Sequence, residues 1–264
     1  MSNWLSRLLV AAILLPVVLL VVYAGGWWVF GVALVAALIS LHEYWLLARP
    51  LAPLAPAGYV GAILALVGAE VGGVGWAVGG VLTTFVLAFV LKAISEARQA
   101  ATIAISGTLL GAVWIGLGLS FLVLLRELPD DGRLATIAVL LAVWGGDTFA
   151  YFGGRLIGRH KMAPETSPGK TWEGFVVGTA ATIFIAFVAL YKQDFLTIGQ
   201  SVVLGVVVAL TAPLGDLFES LLKRDMEVKD TGRLLGGHGG MLDRIDALLF
   251  AAPAAYFTIV AFTS

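Results

Sequence analysis

Thr102-Ile-Ala-Ile-Ser-Gly-Thr-Leu-Leu-Gly-Ala-Val-Trp-Ile-Gly-Leu-Gly-Leu-Ser-Phe-Leu-Val-Leu-Leu125 runs for 24 residues without a charge. A helix crosses the hydrocarbon core of a bilayer with about 20 apolar residues. Backbone polar groups in lipid must be satisfied internally, so only helices and closed barrels span it. Apolar residues here do not alternate with polar ones, as barrel strands require. The stretch therefore predicts a transmembrane helix. Similar runs lie near residues 8–24, 26–47, 57–70, 74–92, 134–152, 173–191, 198–217 and 241–262. Together they predict an all-α, polytopic transmembrane helical bundle of about nine spans. The expected organisation is one membrane-embedded domain, 1–264, with N-terminal helices over 1–125 and a C-terminal part over 134–264.

Composition agrees. Hydrophobic residues are 60% of the chain and charged residues 12%, against about 25% charged in soluble domains. Mean hydropathy is +0.98. Arg7 followed by an apolar stretch to Ala24 resembles a signal peptide, but further apolar runs follow at once, which favours a first span. Cysteine is absent and the three histidines are far apart in sequence, which excludes disulfide and zinc frameworks. The net charge of −1 points to no nucleic-acid partner.

Charge placement orients the bundle. With the N-terminus inside, twelve Lys and Arg fall in inside segments, against Arg126, Arg133 and Lys192 outside. Cytoplasmic loops carry the basic excess, so a cytoplasmic N-terminus is expected. Gly72, Gly73 and Gly75 beside Glu70 predict a tight turn between the third and fourth helices. Gly75 with Gly79, and Gly107 with Gly111, have the four-residue spacing of close helix packing.

Two predicted inside loops, 153–172 and 219–240, are long, charged and glycine-bearing. From Ser220 the second carries Lys223, Arg224, Lys229, Asp230 and Arg233, then Gly236-Gly-His238-Gly239-Gly240, then Asp243-Arg244-Ile-Asp246. A glycine run opening a helix offers bare N–H groups to phosphate. Asp243 and Asp246, three apart, share a helix face and suit a hard divalent cation. Asp216, Glu219, Ser220 and Lys223 follow helical spacing on the preceding helix, so Asp216 could complete a metal site with Asp243 and Asp246. Carboxylates ringed by cations suit phosphoryl or nucleotidyl transfer. The bland alternative is a solvated basic linker, and His238 alone is as well explained as a turn residue.

Asp147 lies deep in an apolar run, where an ionisable residue marks function by default; helix pairing through a neighbouring hydroxyl is the alternative. Ser167-Pro-Gly169-Lys170-Thr171 imitates the end of a Walker A loop, but Pro164 stands where that loop needs glycine and no strand is expected before it. A lysine and two hydroxyls opening a helix remain as a phosphate contact. Glu43, near the cytoplasmic end of the second helix, reads equally as an interfacial anchor or a functional acid.

The stretch from Ser220 to Asp246 resembles the signature of the phosphatidate cytidylyltransferases (CDP-diacylglycerol synthases) of bacterial type. Ser220, Lys223-Arg224, Lys229-Asp230, His238-Gly239-Gly240 and Asp243-Arg244-Ile-Asp246 stand at the family's spacing. The Ser167–Gly174 and Asp147 segments are also similar. Gly236 departs from the proline of many members. The resemblance covers about the C-terminal half, which it makes the catalytic part. It implies that CTP and phosphatidic acid give CDP-diacylglycerol and pyrophosphate, for phospholipid synthesis at the inner (plasma) membrane, with the site facing the cytoplasm. It implies magnesium, is compatible with a second, monovalent cation such as K+, and implies a homodimer among membrane lipids. Asp216, Asp243 and Asp246 are then the expected magnesium ligands. Lys223 and Asp147 join them as catalytic residues. Ser167, Lys170, Thr171, Ser220, Arg224, Lys229, Asp230, His238, Gly239, Gly240 and Arg244 are expected to bind substrate. An ion-coupled transporter and another CTP-using lipid transferase, such as a polyprenol kinase, are the competing classes.

Overall fold

A computed structural model of the chain describes residues 15–95, 100–129, 131–228, 231–232 and 239–263. Among these, eight helices are long and apolar enough to cross a membrane. The first expected span is described only as α1, Leu15–Ala24. The chain is a multi-pass helical membrane protein. It divides into two compact units, Met1–Glu127 with Val228–Arg244, and Leu128–Glu227 with Ile245–Ser264.

In the first unit, α2 (Trp27–Leu47) is followed by α3 (Ala55–Gly72) and α4 (Val74–Ala93). Gly73 alone joins α3 to α4, at φ 77°, where a side chain is strained and glycine is not. The predicted tight turn is thus present. The opening stretch is a continuous helical rod, α5 (Ala101–Gly111), a π-helical turn (Ala112–Leu117) and α6 (Gly118–Arg126). Its apolar window is 78% buried inside the protein. Tyr44 anchors it by donating from its hydroxyl to the Gly107 carbonyl (2.9 Å).

Lipid tails supply no hydrophobic drive between helices, so close approach through small residues does the packing. Gly111 faces Tyr44 and Trp45, and Gly107 faces Leu51, as expected from their spacing. Gly75 and Gly79 face open space instead. The close contact on α4 is one residue further on, where a methyl on Gly80 would overlap the backbone of Leu64 and Ala65.

The second unit contains α7 (Gly132–Ile157), α8 (Trp172–Leu190), α9 (Ile198–Asp225) and most of α10 (Leu242–Thr263). Gly146 faces Thr182, and Gly178 faces Ala150 and the Gly146 carbonyl, so α7 and α8 meet along small residues. A capping box closes the start of α9: Thr197 Oγ1 accepts the Gln200 N–H (3.3 Å) and Gln200 Oε1 accepts the Thr197 N–H (2.9 Å).

Two boundaries differ from expectation. α9 continues to Asp225, so Ser220, Lys223 and Arg224 are helical rather than in a loop. The other long loop begins on α7 and contains an antiparallel hairpin, β1 (Lys161–Ala163) and β2 (Ser167–Thr171). Strands of three and five residues, with Pro164 after the first and Pro168 inside the second, are too short for a periodicity to show.

Candidate active site

Lys170 is placed by two capping interactions. β2 runs into α8 with no intervening residue, because Thr171 Oγ1 accepts the Gly174 N–H (3.1 Å) as the N-cap. Glu173, one residue into α8, accepts the backbone N–H groups of Arg159 (3.0 Å) and His160 (3.2 Å) and contacts His160 Nδ1 at 2.6 Å. The hairpin is therefore clamped to the start of α8. Lys170 Nζ lies 2.8 Å from Asp216 Oδ2 on α9 and donates to the Pro213 carbonyl (3.3 Å). Arg224 Nε donates to the Thr166 carbonyl (3.2 Å), tying the hairpin turn to the end of α9.

The stripe expected on α9 is present. Ser220 Oγ donates to Asp216 Oδ1 (3.4 Å), and Lys223 Nζ pairs with Glu219 Oε2 at 2.8 Å. Glu219 is 1% exposed and Asp246 8% exposed. These two buried acids interact electrostatically. Asp246 Oδ1 also accepts the Ala247 N–H (2.8 Å). Gly215 makes the approach feasible, since a methyl there would overlap the Asp246 carbonyl. Asp216 interacts electrostatically with both Asp246 and Asp147, and Asp147 with Lys170. Asp147, Lys170, Asp216, Glu219, Lys223 and Asp246 thus form one network in the second unit.

Clustered carboxylate oxygens are the hard donors a divalent cation takes. Asp216, Glu219 and Asp246 supply such oxygens in this unit. Among the described residues, no three His, Asp or Glu side chains are already arranged to hold a metal ion.

In the first unit, Asp243 Oδ2 accepts the Gly240 N–H (2.6 Å), the Thr231 hydroxyl (2.9 Å) and the Thr231 N–H (3.3 Å). Gly239 adopts φ 78° directly against this carboxylate. Arg244 is exposed. Ser167 lies at the start of β2, paired in register with Ala163. Lys229, Asp230, Arg233 and His238 lie outside the described residues.

Two acids carry more than the sequence assigned them. Glu219 was legible only as a member of the α9 stripe, although its spacing to Asp216 and Lys223 was the available signal. Glu43 is buried, with both oxygens engaged on backbone N–H groups of Met241 and Leu242.

The Cytidylyltransferase family model matches residues 5–262. The chain belongs to the cytidylyltransferase family. Within it, the chain is similar to proteins named phosphatidate cytidylyltransferase. The Mycobacterium bovis protein is 42% identical over 159 residues, covering 59% of this chain and 50% of that relative. The Haemophilus influenzae protein is 40% identical over 130 residues, 47% of this chain and 45% of the relative. The Staphylococcus haemolyticus protein is 40% identical over 146 residues, 55% of each. The chain spans about half the length of these curated relatives.

Proposed function

We propose that this cytidylyltransferase-family protein transfers the cytidylyl group of CTP to phosphatidic acid. The observation that carries the reading is the meeting of Asp147, Asp216, Glu219 and Asp246 with Lys170 and Lys223 in one network of a membrane-spanning unit. A cation-balanced acid cluster beside lipid suits joining a charged nucleotide to a lipid phosphate. The names of the relatives support the substrate pair.

A phosphate oxygen of the lipid attacks the α-phosphorus of CTP. The bond from that phosphorus to the oxygen bridging to the β-phosphate breaks, and pyrophosphate leaves with the electron pair. The products are CDP-diacylglycerol and pyrophosphate, with no covalent enzyme intermediate. Lys170 and Lys223 offset phosphate charge, and Arg224 and Arg244 add cations toward the cytoplasm. The hairpin residues Ser167 and Thr171 and the α9 hydroxyl of Ser220 set the positions of these cations. The Gly239-Gly240 turn, whose Gly240 N–H is held by Asp243, shapes the cytoplasmic mouth of the substrate site. Asp216 and Asp246 would hold magnesium, which supplies Lewis-acid stabilisation of charge on the transferring phosphate; Asp243 would offer a further carboxylate at the first turn of α10. Asp147 keeps Lys170 and Asp216 in a polar setting within the span.

The site faces the cytoplasm of a bacterial inner membrane in this reading, on the basic asymmetry of the loops, and the protein works as a homodimer. Purified chain in detergent, given labelled CTP, phosphatidic acid and magnesium, should produce a labelled lipid only when phosphatidic acid is present. Absence of that product sinks the reading. A labelled product from polyprenol instead would identify a different acceptor.

A further inference from the structure

The first N–H groups of a helix have no partner within it. At α10 they are taken by a side chain from far earlier in the chain. Glu43 Oε1 accepts the Met241 N–H at 3.0 Å, and Glu43 Oε2 accepts the Leu242 N–H at 2.9 Å. Glu43 is 4% exposed. Gly232 and Gly240 approach the same carboxylate so closely that a Cβ on either would overlap it. Asp243, on the same first turn, uses its own Oδ2 to hold Gly240 and Thr231. Two carboxylates therefore fix one short stretch of backbone from both sides, all within the first unit.

An interfacial anchor on α2 would keep its charge in water or the headgroup layer. Glu43 does the opposite. Burying a carboxylate is unfavourable unless it is hydrogen-bonded, and here both oxygens are directed at the positive end of another helix, where an anion is favoured. The recipient is the helix that carries Asp243 and Asp246.

We propose that Glu43 is a positioning residue for the transfer reaction. Its two-point cap sets the rotation and height of the first turn of α10, and so the placement of the Asp243 carboxylate and of Asp246 one turn on. The proposal rests on the reading of the chain as a CTP-using transferase. Glu43 touches no reacting atom in this scheme. It acts through the backbone it holds.

The test uses the full chain in detergent, with Glu43→Gln and Glu43→Asp beside the parent. Hydrogen exchange at the Met241 and Leu242 amides reads the cap directly and does not depend on activity. Magnesium titration of labelled CDP-lipid formation reads its effect on the acids. Glu43→Gln should speed exchange at those two amides at least tenfold while α2 stays protected. It should also raise the magnesium needed for half-maximal turnover several-fold, with a smaller change in KM for CTP. Glu43→Asp, which restores the charge on a shorter arm, should fall between. Gly232→Ala, which intrudes on the carboxylate from the other side, should shift the magnesium requirement the same way. Unchanged amide exchange in Glu43→Gln overturns the cap. Faster exchange with an unchanged magnesium requirement overturns the positioning role. If the parent chain forms no CDP-lipid, the functional reading has failed and takes the positioning role with it, and the exchange data then stand as a result about the cap alone.

Discussion

Lys170 Nζ and Asp216 Oδ2 stand 2.8 Å apart, joining the hairpin before α8 to the C-terminal half of α9. The Lys170 side chain is 21% exposed and that of Asp216 40%, so the pair is partly screened, and its worth to stability is small. Its chemical consequence is larger, because the ammonium is held ready beside the acid cluster. Lys170→Met should lower labelled CDP-lipid formation roughly 100-fold with little change in thermal unfolding. Lys170→Arg, which retains the charge, should recover part of the rate.

Glu219 and Asp246 are both buried and interact electrostatically. Asp246→Asn keeps the shape of the side chain, and an oxygen for the Ala247 N–H, but removes the acid. The variant should therefore fold and resist heat about as the parent does, yet lose cation binding and turnover. Circular dichroism melts alongside the radiolabel assay check this. A variant that is fully active would remove Asp246 from the site.

Asp243 is tied to Thr231 and Gly240, which leaves two roles to separate. Asp243→Asn should abolish measurable CTP incorporation if the carboxylate holds magnesium. Thr231→Val removes only the hydroxyl partner and should cost about tenfold, the low end for losing a hydrogen-bond partner of a metal-ligating carboxylate. Equal losses in both variants would make Asp243 a strap for the glycine segment rather than a ligand.

Gly79 and Gly80 are neighbours with opposite surroundings. A Cβ on Gly80 meets the backbone of α3, whereas one on Gly79 meets nothing within 4 Å. Gly80→Ala should destabilise the protein by about 1–3 kcal/mol through overpacking. Gly79→Ala should be neutral or slightly stabilising, since alanine is the better helix former. Thermal midpoints in one detergent decide it.

Much of this was readable from sequence for a simple reason. Lipid demands long apolar segments, so the spans from Trp27 onward declare themselves by hydropathy, and the acids Asp147 and Asp216 stand out because lipid does not tolerate them idly. The α9 stripe was readable because helical spacing does not depend on partners. Other features depend on them. The end of α9 at Asp225 lies beyond any hydropathy signal, because its last turns are polar. The contact glycine of α4 was misplaced by one residue because spacing cannot tell which side of a helix meets a neighbour. The hairpin is too short to pattern, and the role of Glu43 is defined by amides at Met241 and Leu242 that only folding brings near.

α9 has 28 residues, and at ~1.5 Å per residue it is about 42 Å long. The hydrocarbon layer it crosses is about 30 Å thick. The excess makes the helix a ruler between oil and water. Asp216 sits about 12 Å along the axis from Arg224, so the two mark different depths on one helix. A lipid phosphate held near the first and a nucleotide reaching the second would meet at a height fixed by the helix rather than by the lipid. Bilayer thickness then becomes a variable of the reaction.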